Sequence, residues 1–221
     1  MTFVTGEGPV KEQGDDIPLT VRLGFSLWMI FWVSVVLTNH GPQNFFWLCN
    51  LAQFIILYVV WSGNRLLLSS QAGMVCLVGV VWTLDFIVAL ALGGNSLTGF
   101  TAYMFSDELA LIARAVSLYH VFLPPLVLWL VWHIGYDSRG VWLQSGIGAL
   151  AVIGGWLFTD PERNINWVHI VFGAEQAWMP EMAWVALLVV AYPLLIFLPG
   201  HFLVRGVLAS CERGQSHSIV R

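Results

Sequence analysis

Charge is what this chain has least of. Only 10% of its 221 residues are Asp, Glu, Lys or Arg, while 58% are hydrophobic. A soluble domain carries about 25% charged residues. A water-exposed globule is therefore excluded, and a multi-pass membrane protein is indicated. The net charge of −4 is spread thinly, and no basic cluster offers itself to nucleic acid. Cysteine is also scarce. Cys49, Cys76 and Cys211 form no CxxC and no metal-ligand spacing. No GxSxG nucleophile motif occurs, and there is no internal repeat. The opening stretch MTFVTGEGPVKEQGDDIPLT has no apolar core ending in a cleavage site, so it reads as a flexible tail and not as a signal peptide.

Long apolar runs are what the sequence does have. Crossing a bilayer takes roughly 20 apolar residues. Six segments qualify, at about 19–38, 45–61, 66–92, 114–134, 141–158 and 182–204, the first two being somewhat short. The expected fold class is all-α, a polytopic membrane bundle of six transmembrane helices. Two connections, 95–113 and 159–181, are too long and too apolar for simple loops. Both read as interfacial or re-entrant pieces, with Tyr103, Trp167 and Trp178 suited to the headgroup region. A seventh span would fit within 95–113. The expected organisation is a cytoplasmic tail (1–18), a single transmembrane domain (19–208) and a second cytoplasmic tail (209–221).

Orientation follows from Lys and Arg. With six spans, one side holds Lys11, Arg22, Arg65, Arg139, Arg205, Arg213 and Arg221, and the other holds Arg114 and Arg163. That split places both termini in the cytoplasm and the protein in the plasma (bacterial inner) membrane.

Orientation then fixes depth. Asp85 interrupts the apolar run VVWTLDFIVAL. An ionised group inside a bilayer marks function by default and needs partners. The topology predicts His120 and Arg114 as those partners, with Asn50 and Gln53 as hydrogen-bond donors, all in the outer half. Ser117 lies one turn before His120. Pro124, four residues after His120, cannot donate to its carbonyl and predicts a kink. His40 falls in the first outer loop. Asn164, Asn166 and His169 fall in the last outer connection, as a plug or a lid. His133 and His201 are the polar exceptions near the cytoplasmic ends. GIGALAVIGG supplies small residues for close helix packing.

The runs NFFWLCN, WTLDF, TAYMF, SLYHVFLPP, GYDSRG, TDPERNINWVH and LPGHF resemble those of a family of uncharacterised bacterial multi-pass, membrane-associated proteins. The likeness spans residues 42–205 and brings no established activity. A His in a middle helix followed by Pro, after an Asn-bearing helix, more distantly resembles the androgen-induced intramembrane esterases. Those enzymes hydrolyse branched fatty-acid lipid esters with a Thr and a His. The resemblance implies that His120 stands for the His, with Thr83 and Thr38 as candidates for the Thr.

Three functional readings follow. In the first, the chain is an intramembrane enzyme acting on a lipid or apolar small molecule. His120 is then the general base, Asp85 its orienter, and Asn50 or Asn166 a donor to developing negative charge. The nucleophile is Ser117, Thr83, Cys49 or water, and Gln53, Arg114, Asn164, Asn166, His169 and His40 contact the ligand. In the second, the chain is a transporter, receptor or assembly subunit that packs on a partner membrane protein. In the third, it is a redox protein. It would hold a metal at His40, His120, His169 and Asp85, or haem between His120 and His133 on one helix and a second helix bearing His201.

Overall fold

The computed structural model describes residues 17–171, 174–175 and 177–218. Lys11 and Arg221 lie outside the described residues, as do positions 1–16 of the N-terminal tail.

Six helical segments form the bundle: α1 Leu19–Asn39, α2 Leu48–Ser62, α3 Arg65–Ala91, α4 Leu111–Ile134, α5 Gly140–Phe158 and α6 Glu181–Cys211. Five are long and apolar enough to cross a membrane, and α2 is the short one. Its 15 residues rise only about 22 Å, less than the roughly 30 Å of a hydrocarbon core. A 3-10 turn, Pro42–Phe46, precedes it. The last helix continues beyond Cys211 to Ser218.

Local chemistry sets the helix ends. Gly63 takes a left-handed backbone (φ 65°) and stops α2. The Asn64 side chain then accepts the Leu67 N–H at 3.0 Å and starts α3. Gly135 (φ 95°) ends α4 in the same way. These turns, 63–64 and 135–139, lie at one end of the bundle, here the turn end. The other end carries the long connections 40–47, 92–110 and 159–180 and is the loop end.

Helix α3 is the axis and packs on α2, α4, α5 and α6. All nine residues from Leu68 to Cys76 are buried, the mark of a helix enclosed on every side. Its closest crossing is with α6. A Cβ added to Gly73 would sit 2.8 Å from the His201 nitrogen, so only glycine admits the contact. In α6 itself, Pro193–Phe197 forms a π turn, closed by the Leu198 N–H on the Pro193 carbonyl. Pro193 supplies no N–H, which loosens the ladder there.

The connections are folded pieces, not spans. Residues 92–110 hold one 3-10 turn, Ala102–Phe105, so the seventh span does not form. Residues 159–180 hold 3-10 turns at Pro161–Arg163 and Ile165–Trp167. A two-residue antiparallel pair, Ile170–Val171 with Ala174–Glu175, follows.

Polar burial is not confined to one depth. Gln71 and Gln144, each 1% exposed, meet at 2.8 Å near the turn end, and Ser69 and Ser70 are buried beside them in sequence. This corrects the expectation that polar groups other than His133 and His201 lie in the loop-end half. Two amides that pair with each other are satisfied at any depth, so the SSQ run of α3 needs no polar end.

Candidate functional site

Asp85 is buried, but its partners are not those expected. The carboxylate accepts five hydrogen bonds, all from the connection after α3. They come from Ser96 Oγ (2.6 Å), the backbone N–H of Leu97 (3.1 Å), Thr98 (3.0 Å) and Thr101 (3.1 Å), and Thr101 Oγ1 (2.6 Å). The connection folds back over the helix end because its own N–H groups need an acceptor in an apolar setting. Arg114 donates instead to the Met104 carbonyl at 3.1 Å. The Asp85–His120 and Asp85–Arg114 pairs are therefore replaced by a carboxylate that organises backbone.

His120 sits in a different environment. Its Nδ1 lies 2.9 Å from the Ser117 carbonyl. A carbonyl only accepts, so Nδ1 carries the proton and Nε2 keeps the lone pair. The imidazole stacks on Tyr119 (4.1 Å) and on Trp82 (4.9 Å, planes 14° apart). The Trp82 indole N–H reaches the Tyr103 hydroxyl at 3.3 Å, and burial pushes that phenol up to about 12. Ser117 thus contributes its carbonyl, while its side chain pairs with Tyr103. Pro124 leaves the His120 carbonyl without a helical donor. Gly79 lies against that carbonyl, where an added Cβ would come within 2.8 Å. The α3–α4 crossing that places His120 depends on this glycine.

A small cavity of about 10 Å³ lies between α2, α3 and α4, the room one water requires. Its polar wall is Cys49, Tyr119 and His120, and Met74, Val75, Gly79 and Pro124 are among its apolar lining. Cys49 is a free thiol in the first turn of α2. Its sulfur lies 4.0 Å from Asn50 Oδ1. The Tyr119 hydroxyl donates to the same oxygen at 2.7 Å, and Asn50 Nδ2 donates to the Asn44 carbonyl at 2.7 Å. A thiol and an imidazole of fixed tautomer thus line one small cavity. That is the composition of a nucleophile–base site.

The remaining expected residues divide between two tasks. Asn166, 2% exposed, fastens loops. Its Oδ1 accepts the Leu48 N–H (3.0 Å), and its Nδ2 donates to the carbonyls of Phe46 (2.8 Å) and Ala151 (3.2 Å). It therefore holds the start of α2, one residue before Cys49. Asn164 Oδ1 accepts the His169 and Ile170 N–H groups at 3.0 and 2.9 Å and fixes its own turn. The His40 carbonyl accepts from Arg163, and burial, with Arg163 beside it, holds the His40 imidazole below its ordinary value. Gln43 and Asp160 exchange two hydrogen bonds, at 2.8 and 2.9 Å. In the bundle, Gln53 accepts from the Trp28 indole at 2.9 Å. Thr38 bonds back to the Ser34 carbonyl at 2.9 Å.

His40, His120, His169 and Asp85 do not converge. Among the described residues no three of His, Cys, Asp or Glu form a metal-holding group. His133 bonds the Trp129 carbonyl and His201 the Tyr136 hydroxyl, at 2.9 and 2.7 Å. Tyr119, Trp82, Tyr103 and the Gln71–Gln144 pair were not anticipated. The signal for the last was amides inside apolar helices; for the aromatic shell, sequence held none.

The fold is an all-α bundle with helices suited to a membrane, and the mixed thiol–imidazole cavity is the candidate site. Compared with family models, curated proteins and solved structures, the chain matches none.

Proposed function

We propose that this chain is an intramembrane enzyme that cleaves or transfers the acyl group of an apolar ester, with Cys49 as nucleophile and His120 as base. The observation that carries this reading is the small cavity lined by both side chains, with His120 Nδ1 tied to the Ser117 carbonyl. His120 Nε2 takes the thiol proton as sulfur attacks the ester carbonyl carbon. The carbonyl electrons move to oxygen, then return as the carbon–oxygen bond to the alcohol breaks. His120 hands its proton to the departing alcohol. Water or a second alcohol, deprotonated by His120, then cleaves the Cys49 thioester and restores the thiol. Room for one water fits the hydrolytic molecule. The acyl chain lies along exposed apolar helix faces, such as that of Val121 and Phe122 beside His120. The likeness to esterases that use a Thr and a His supports this reading, with a thiol as nucleophile instead of a hydroxyl. The basic-residue split supports a plasma-membrane location with the loop end, and so the site, on the non-cytoplasmic side.

The test is mass spectrometry of the protein after incubation with a short-chain acylglycerol and, separately, a phosphatidylcholine. An acyl adduct on Cys49, labile to hydroxylamine and absent from Cys49→Ala, is expected. His120→Ala should slow its formation by about 10²–10⁴-fold. Unchanged turnover in Cys49→Ala sinks the reading.

The saturated state of Asp85 and Asn166 favours a second reading, a non-catalytic assembly subunit whose polar groups only hold the fold. In that case a partner membrane protein co-purifies, and Cys49→Ala and His120→Ala change nothing but assembly.

A further inference from the structure

One connection stands over the loop end of α3, beyond the cavity. Gly79 lines the cavity. One turn further along α3, Trp82 stacks on His120, and one turn beyond that is Asp85. Tyr103, carried by the connection 92–110, sits on Trp82 through the 3.3 Å bond to its indole. Phe105 of the same connection stacks on Phe86 at 5.8 Å and lies 3.3 Å from the position a Gly94 Cβ would occupy. From the loop end, the way to Cys49 and His120 along α3 is thus covered by Tyr103 and Phe105.

The turn that leads into that cover is held on α3 by one carboxylate. Three backbone N–H groups and two hydroxyls of the Ser96–Thr101 turn converge on Asp85. Within the turn, Ser96 Oγ accepts the Gly99 N–H at 2.8 Å and Thr98 Oγ1 the Phe100 N–H at 3.2 Å. Gly93, Gly94 and Gly99 have φ of 66°, 98° and 82°, so glycines flank and interrupt it, and residues of this kind absorb a hinge motion readily. Arg114 adds one bond, to the Met104 carbonyl.

We propose that Asp85 is the latch of a gate: the connection 92–110 closes the loop-end route to the Cys49–His120 cavity, and substrate enters when the turn leaves the carboxylate. The chemistry suits a reversible latch. The five donors are matched by one ionised acceptor, so closure is all-or-none: a turn that leaves Asp85 strands the whole set together. Asp85 is then neither base nor orienter of His120. It acts on the reaction through access, and its role rests on the cavity being the reaction site.

Alkylation of Cys49 by N-ethylmaleimide reads access without requiring turnover. The protein is used whole, in detergent and in liposomes, with the exposed Cys211 replaced by Ser. Cys76, 2% exposed and absent from the cavity wall, serves as internal control, with both sites followed by peptide mass spectrometry. Asp85→Asn places an amide N–H among donors, and Cys49 alkylation should rise at least about tenfold, the loss expected from one hydrogen bond to a charge. Thr101→Val removes one such bond, and about tenfold is expected. Acceleration confined to Cys49 supports the gate. Unchanged Cys49 rates in both variants overturn it, as does equal acceleration at Cys49 and Cys76 in both. If Asp85→Asn alone exposes both cysteines, Thr101→Val decides by the same criterion. The two proposals fail separately. A gated Cys49 in a protein whose Cys49→Ala variant keeps its turnover removes the enzyme reading alone. An ungated Cys49 that still forms the acyl adduct removes the gate alone.

Discussion

At the loop end, Asp85 and Asn166 direct their hydrogen bonds to irregular backbone. At the turn end, Gln71 and Gln144 direct theirs to each other across two helices, and the helix crossing beside them relies on the bare backbone of Gly73. The two ends bury polar atoms for different reasons. Loops in an apolar surrounding must find acceptors and donors for every peptide group, so a charge or an amide there has backbone for a partner. Helices satisfy their own backbone. A buried amide between them is adhesive, and its net worth is small because the alternative is also paired. The candidate site lies toward the end where backbone is irregular.

That contrast is open to attack at several points. The largest effect should come from Gly73→Val, which forces side-chain carbons into the α6 backbone. A loss of about 3 kcal/mol or more is expected, read as a collapse of the thermal transition in detergent. A weaker or absent effect would mean the α3–α6 crossing is not fixed by contact.

The next comparison separates the two kinds of burial. Asn166→Ala leaves the Leu48 N–H and the Phe46 carbonyl without partners and should cost about 3 kcal/mol. Changing Gln71 and Gln144 together to Leu removes both halves of the pair, and the change should stay within about 1 kcal/mol. Equal costs, measured by thermal or denaturant unfolding, would erase the distinction.

The smallest effect separates the ends by acidity. His40, at the loop end, is held below 6.5 by burial and by Arg163. Its folded form resists protonation, so its contribution is complete above 6.5 and declines as pH falls below that value. Asp137, at the turn end, is held down to about 2 by the Arg139 guanidinium 2.8 Å away. Its contribution is complete above 3.8 and declines only as pH falls from there towards about 2. Acidification should therefore loosen the loop end first. His40→Gln should flatten the fall in transition temperature just below pH 6.5, and Asp137→Asn the fall below 3.8. A slope unaffected by His40→Gln would count against the burial of that imidazole.

Most of the architecture was legible in hydropathy. The segment read at 66–92 is Arg65–Ala91 and that read at 141–158 is Gly140–Phe158, because long apolar runs in a bilayer have few alternatives to helix. The site was legible in part. His120, Cys49 and Pro124 stood out one by one, as polar or helix-breaking residues in apolar surroundings. Their meeting did not, since it depends on how α2 and α4 are rotated about α3, and Gly79 sets that rotation through contact. Asp85 was misread for a related reason. Periodicity places a residue on a helix face, but nothing in the run WTLDF says that the chain a dozen residues on turns back to bind it. The hydroxyls and glycines of GGNSLTGFT carried that information as turn chemistry.

The π turn of α6 has one more consequence. Each added residue swings an α-helix by about 100°, so the extra residue between Tyr192 and Leu198 is a clutch between two rigid rods. It lets Tyr192 reach the Asn166 carbonyl at 2.6 Å while Phe197 and His201 remain buried further along. Straightening that turn into plain α-helix, with every residue kept, would leave composition and hydropathy as they are. It would also turn half of the last helix to face the wrong neighbours, an error of phase that no composition or circular-dichroism signal would register.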